Sequence, residues 1–127
     1  MAKIEGKCKE IFDKTEWVAI VTQGEDGPHL VATWGDYVRI SGIEDDTMVI
    51  PAGYYNKTEQ NLQKNALVQL LIASREVPEP GGQGQGCIIS GRGHIQTSGE
   101  VAETMKRNFS WARGALVIKI EEVGTLL

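Results

Sequence analysis

Apolar residues recur along this chain with two periods, and the switches between those periods divide it into elements. Ile4, Cys8, Ile11 and Phe12 fall at helical spacing with Lys and Glu between them, which predicts an amphipathic helix over about the first fourteen residues. Such a helix is expected to cover an open end or face of the fold. Trp17 to Thr22 is rich in β-branched residues, and Gly24-Glu25-Asp26-Gly27-Pro28 is a dense turn signal. An extended run resumes at His29 and carries Leu30, Val31, Thr33, Trp34, Tyr37, Val38 and Ile40. A hairpin is the prediction. A second turn, Gly42 to Asp46, leads into the short strand Thr47 to Ile50, so three antiparallel strands are expected before a helix that opens at Asn56.

Beyond that helix, Ala66 to Ser74 is strongly apolar, too short for an independent helix, and reads as a buried strand. Val77 to Gly86 reads as a loop. Cys87 to Thr97 is expected to be a strand in which Gly91 and Gly93 mark a bulge, a tight bend or the close approach of another group. Glu100 to Phe109 has helical composition with Ser98 as a candidate cap, and Ala115 to Ile120 alternates as a final strand. The sum is a mainly β fold of about six antiparallel strands with two or three helices, the pattern of a small β-barrel with helical decorations.

Composition narrows the functional classes. The 127 residues fit a single domain, 1–127, that can bury a core without a staple. A net charge of -4 and a pI near 5.2 argue against a surface that holds nucleic acid or anionic lipid at long range, so any anionic ligand must be gripped locally. Cys8 and Cys87 form no C-x-x-C motif or Cys/His cluster and are expected to be reduced thiols, while His29 and His94 have no partner at metal-ligand spacing. The longest apolar runs, such as Val68 to Ala73, are too short to span a bilayer, and the N-terminus lacks the apolar core of a signal peptide. No membrane or nucleic-acid partner is expected, and the cytoplasm is the expected compartment.

Three stretches carry candidate chemistry. In Asn56-Lys57-Thr58-Glu59, Asn56 suits an N-cap and Glu59 stands where a capping box would return its side chain to the cap. Lys57 and Thr58 would add a charge and a hydroxyl to the free N–H groups of a first helical turn, a seat for phosphate. Taken alone, four residues are more simply a solvated helix start. Gly81-Gly82-Gln83-Gly84-Gln85-Gly86 lacks the Lys-Ser/Thr ending of a P-loop and reads as a flexible connector. Thr33-Trp34-Gly35-Asp36-Tyr37 packs a hydroxyl, two aromatics and a glycine into five residues. Strand alternation would put Thr33 and Tyr37 on one face and Trp34 on the other. Each aromatic, Trp111 included, reads on its own as core or edge; a planar aromatic ligand would account for all three.

Taken together, Thr22 to Val31, Thr33-Trp34, Lys57-Thr58-Glu59 and Trp111-Ala112-Arg113 closely resemble the small bacterial FMN-binding proteins of the pyridoxamine 5'-phosphate oxidase-like, split-barrel family, in order and spacing as well as residue type. The resemblance runs from about Trp17 to Leu127. It implies a Greek-key split β-barrel that forms a homodimer, with FMN as cofactor near the dimer interface. Lys57, Thr58 and Thr33 would hold the FMN phosphate, and Trp34 and Tyr37 would line the flavin. The turn Pro51-Ala52-Gly53 would supply backbone contacts, Trp111 would border the ring system, and Leu127 would reach the flavin of the other subunit. Glu59 is expected to bend back to its cap and stay off the ligand. Departures from the family pattern are Ala32 where Asn is frequent, Tyr54 where a small residue is frequent, and Asn56 where His is frequent.

The function implied is electron transfer or flavin-dependent oxidoreduction with an unknown redox partner. A true pyridoxamine 5'-phosphate oxidase is the weaker reading because no further basic site for a substrate phosphate is evident. A non-enzymatic flavin store or sensor is the third. No side chain stands out as a general acid or base.

Overall fold

The computed structural model describes residues 3–79 and 82–126. Helix α1 (Gly6–Lys14) leads to β1 (Trp17–Gly24) and β2 (Gly27–Trp34), which pair in register from Trp17 with Trp34 to Gly24 with Gly27, as the turn signal predicts. The extended run stops at Trp34, however. Residues expected to prolong that strand form a helix, α2 (Gly35–Ser41), and the reason is tertiary. The Gly35 N–H donates to the Glu16 carbonyl oxygen at 2.9 Å, and a Cβ at Gly35 would collide with the Thr15 carbonyl oxygen. One helical turn later, the Arg39 guanidinium donates to the carbonyl oxygens of Phe12 and Thr15, both at 2.8 Å, closing the C-terminal end of α1. These contacts override the strand propensity of Tyr37, Val38 and Ile40.

Strands β3 (Ile43–Glu44) and β4 (Thr47–Ala52), helix α3 (Asn56–Lys64), strands β5 (Leu67–Glu79) and β6 (Gly82–Gln96), helix α4 (Glu100–Asn108) and strand β7 (Gly114–Thr125) complete the described chain. All seven strands join one antiparallel sheet in the order β2-β1-β5-β6-β7-β4-β3. β2 and β3 are its two ends and do not pair, which makes the architecture a split barrel rather than a closed one. The described residues thus hold seven strands and four helices against the expected six and two or three; the two-residue β3 and helix α2 make the difference.

Alternation builds the core. Val18 and Ile20 of β1, Leu70 and Ile72 of β5, Ile89 of β6, Leu116 and Ile118 of β7, and Met48 and Ile50 of β4 point inward and are buried together. α1 closes this interior with Cys8, Ile11 and Phe12, the covering role its amphipathic pattern predicts. Gly91 stands at a register shift between β6 and β7, where a Cβ would meet the Lys119 carbonyl oxygen, so the expected bulge is present and requires glycine.

Three expectations need correction. Val77 to Gly86 is no connecting loop: Pro78 pairs with Gln83 and Glu79 with Gly82, extending the β5–β6 hairpin, while Pro80 and Gly81 lie outside the described residues. Glycine composition marks where strands are weak but does not prevent a long partner from pairing with them. Ser98 does not cap α4, whose preceding residue is Gly99 with no side-chain cap. Cys8 and Cys87 are not free thiols but are joined in a disulfide, with Cα atoms 6.0 Å apart and a sequence separation of 79. Sequence spacing carried no hint of this; α1 lying across the barrel interior brings the pair together. No helix among the described residues is long and apolar enough to cross a membrane.

Candidate functional site

A cleft of about 310 Å³ opens where β2 passes into α2 and where the segment after β4 approaches the link between α4 and β7. Trp17, Ala32, Thr33 and Trp34 form its hairpin side, Tyr37 comes from α2, Gly53, Tyr54 and Tyr55 from the turn before α3, and Trp111 from the last link. Five of the ten site residues expected from the sequence meet here: Thr33, Trp34, Tyr37, Gly53 and Trp111. Thr33 is buried and Trp34 half exposed, as strand alternation requires, yet both reach the cleft because it straddles the end of β2. Tyr37 arrives from the helix rather than from a strand face.

The aromatic wall is a connected set. Trp17 meets Trp34 edge-on with ring centroids 4.5 Å apart, and Tyr37 lies 5.5 Å from Trp111 and 5.1 Å from Phe109. Trp111 also rests on the backbone at Gly53, where a Cβ would come within 3.3 Å of its ring. A larger residue at position 53 would push the ring away.

The other expected residues sit around this cleft rather than in it. Pro51 and Ala52 are not part of a turn but lie within β4, paired with Ala115 and Gly114, and the Ala52 carbonyl oxygen already accepts the Arg113 N–H at 2.8 Å. Lys57 is exposed on the first turn of α3 and borders a neighbouring groove with Gln23, Gly24 and Lys64. Thr58 is fully buried, and its hydroxyl has no hydrogen-bond partner among the described residues. Leu127 lies outside the described residues.

The start of α3 differs from the expected capping box. Tyr55, in the left-handed region at φ 45°, occupies the position before the helix, and Asn56 is already its first residue, so Asn56 cannot cap. Glu59 does not return to the backbone of Asn56. Its Oε1 accepts from Arg113 Nη2 at 2.9 Å, and the same guanidinium donates from Nε to the Tyr54 carbonyl oxygen at 2.7 Å. At its far side α3 is fixed to the β1–β2 hairpin by the buried Asn61, whose Nδ2 donates to the Thr22 hydroxyl at 3.1 Å.

Two further residues shape the cleft without having been singled out from the sequence. Tyr55 donates its hydroxyl to the Ala32 carbonyl oxygen at 3.0 Å, and burial raises its pKa above the usual 10.0, only partly offset by a hydrogen bond with Thr33. Its proton is therefore retained at neutral pH. Trp17 looked like an ordinary strand residue because only the pairing of β1 with β2 sets it beside Trp34. Arg113, by contrast, was visible in the Trp111-Ala112-Arg113 motif, but its partners were not.

The cleft continues onto the outer face of the sheet. Ala32, Ala19, Leu71 and Ile88 stand in register across β2, β1, β5 and β6, and Leu30 and Val21 form the next row. Leu30 is 64% exposed, Leu71 43% and Ile88 39%, so an apolar stripe runs from Trp17 and Trp34 across three further strand positions.

An open aromatic cleft thus lies beside a helix start that carries one exposed lysine and one buried hydroxyl, in a small split-barrel protein. The chain matches the family profile of pyridoxamine 5'-phosphate oxidase over residues 4–126, and it belongs to that family. It is 39% identical over 117 residues to an FMN-binding protein of Nitratidesulfovibrio vulgaris (strain DSM 19637 / Miyazaki F), covering 92% of this chain and 93% of that one. Among solved structures it is similar in fold to HupZ of Group A Streptococcus, with a TM-score of 0.75 at 19% identity over 99% of this chain and 94% of that one. It is likewise similar to an FMN-binding protein from Syntrophomonas wolfei subsp. wolfei, with a TM-score of 0.66 at 14% identity over 95% and 84% of the two chains.

Proposed function

We propose that this protein binds FMN in the aromatic cleft, works as a homodimer, and takes part in electron transfer or flavin-dependent oxidoreduction. The observation that carries the reading is Thr58: a hydroxyl buried in the first turn of a helix, without a partner among the described residues, is costly to leave unpaired and is a ready donor to a phosphate oxygen. Lys57 beside it offers the charge, and the rings of Trp34, Tyr37 and Trp111 offer flat apolar surface for a flavin. The 39% identity to a protein that binds FMN supports the same ligand. Bound FMN would supply the one- and two-electron chemistry. The protein's own groups bind it, orient it and limit the access of water; none of them is assigned as a general acid or base.

The homodimer is supported by the apolar stripe through Leu30, Leu71 and Ile88, which begins at the cleft itself. A second copy seated there would cover both the stripe and the open side of the cleft, placing each ligand near the contact.

The test is direct. Purified protein should be yellow, or turn so on incubation with FMN, and the Lys57→Ala variant should bind FMN more weakly with its fold intact. Protein that remains colourless after incubation with FMN would refute the reading. Anaerobic mixing of the oxidised flavoprotein with reduced nicotinamide nucleotide or pyridoxamine 5'-phosphate then separates an enzyme from a carrier: an enzyme's flavin is bleached by its own small-molecule donor, whereas a carrier's flavin is reduced only by a redox protein or an artificial donor.

A further inference from the structure

Glu59 presents a problem for any anion at the start of α3. A carboxylate in the first turn compensates the partial positive charge of the free N–H groups and opposes the approach of a second negative group. A helix that is to receive phosphate beside Thr58 and Lys57 gains nothing from it. The structure shows what becomes of that charge: Arg113, 54 residues further along the chain, holds the carboxylate at 2.9 Å, and both partners are largely shielded from solvent.

Arg113 does more than neutralise. Its Nε–H grips the Tyr54 carbonyl oxygen, its backbone N–H is bound to Ala52, and two residues before it Trp111 packs on Gly53. One short link thus fixes the turn that sets the direction of α3, the carboxylate on its first turn, and an aromatic wall of the cleft. A lysine could supply the charge but not the two directed bonds that the planar guanidinium makes from Nε and Nη2.

We propose that Arg113 is a positioning residue for the phosphate end of the ligand: it holds Glu59 paired and turned away, so that the first turn of α3, with the orphaned Thr58 hydroxyl, remains available to a phosphate. The inference rests on the FMN reading. It says that selectivity for the phosphorylated flavin over the unphosphorylated one is set by a residue outside the helix that binds the phosphate. Glu59 and Arg113 form a charge-balanced unit; either member alone shifts the anion preference, and in opposite directions.

The experiment compares dissociation constants for FMN and for riboflavin, measured by flavin fluorescence titration, in wild type, Arg113→Gln, Glu59→Gln and the double variant. The ratio of the two constants isolates the phosphate contribution from ring binding. Arg113→Gln should lower the FMN preference about tenfold by leaving Glu59 unpaired near the anion, with riboflavin binding changed much less. Glu59→Gln should raise the preference, because Arg113 then adds uncompensated positive charge, and in the double variant the preference should return towards wild type. Equal loss of both ligands in Arg113→Gln would make the arginine a plain structural strut and overturn the proposal. So would a double variant that recovers nothing. If Arg113→Gln fails to fold, Glu59→Gln alone decides: a lowered FMN preference overturns the inference. A wild type that binds both flavins equally would remove the phosphate seat itself, whereas a wild-type preference untouched by Arg113→Gln would remove only the role of Arg113.

Discussion

The hydroxyl of Tyr55 donates to the carbonyl oxygen of Ala32 at 3.0 Å, tying the residue that launches α3 to the strand on the opposite side of the cleft. The phenol crosses from the start of α3 to β2 and ends on backbone, at the Ala32 carbonyl oxygen. Ala32 and Tyr55 both line the cleft.

Tyr55→Phe removes this bond and should cost about 1 kcal/mol at neutral pH, since a buried neutral hydrogen bond is worth about 0.5–1.5 kcal/mol. The pH dependence has a definite sign. The folded-state pKa is raised above 10.0, so the native state holds the proton more tightly than the unfolded chain. The stability this confers is fully present below pH 10.0 and is lost as pH rises through the folded value. Urea unfolding at successive alkaline pH values should therefore show a steeper loss in wild type than in Tyr55→Phe.

Thr58→Val should give effects of opposite sign on stability and binding. In the flavin-free protein, valine replaces a buried hydroxyl that has no partner, a defect costing about 1–3 kcal/mol, so the melting temperature should rise. FMN affinity should fall, by roughly 10-fold or more if one hydrogen bond to a charged phosphate of about 1.5–3 kcal/mol is lost. Differential scanning calorimetry without flavin and a flavin titration check the two halves independently.

Leu71→Glu or Ile88→Glu places a charge on the outer stripe without touching the inward face of either strand. Sedimentation velocity should show the wild type as a dimer and either variant shifted towards monomer, with secondary structure unchanged. An unchanged sedimentation coefficient would place the contact elsewhere.

Reduction of Cys8–Cys87 should destabilise the fold by about 2–5 kcal/mol, since the bond closes a long loop in the unfolded chain and fastens α1 to β6. Unfolding curves with and without a strong dithiol reductant measure the difference. Thiol titration of the denatured, unreduced protein should find both cysteines unreactive.

The sequence was most legible where one element obeys one period. The β1–β2 hairpin followed from alternation and from Gly24 to Pro28, and α1 from the spacing of Cys8, Ile11 and Phe12, because in each case the local pattern and the final burial agree. It was least legible where a distant partner decides. Tyr37 and Val38 have strand propensity, but the segment is helical where Arg39 reaches the end of α1 and Gly35 passes close to Thr15. Glu59 has the spacing of a capping box, but Arg113 binds it first.

By itself, then, the sequence determined the residue types of the cleft and of the helix start, and the alternation that encloses a β core, because hydrophobic period and turn chemistry are local properties of the chain. Only the tertiary structure decided which of those residues meet. The cleft draws on β1, β2, α2, the turn before α3 and the link before β7, and the pairings Glu59–Arg113, Tyr55–Ala32 and Cys8–Cys87 join positions 54, 23 and 79 residues apart. Such contacts form only once the sheet has curled and α1 has closed it, since no short-range pattern records the partner that a side chain will find across the barrel.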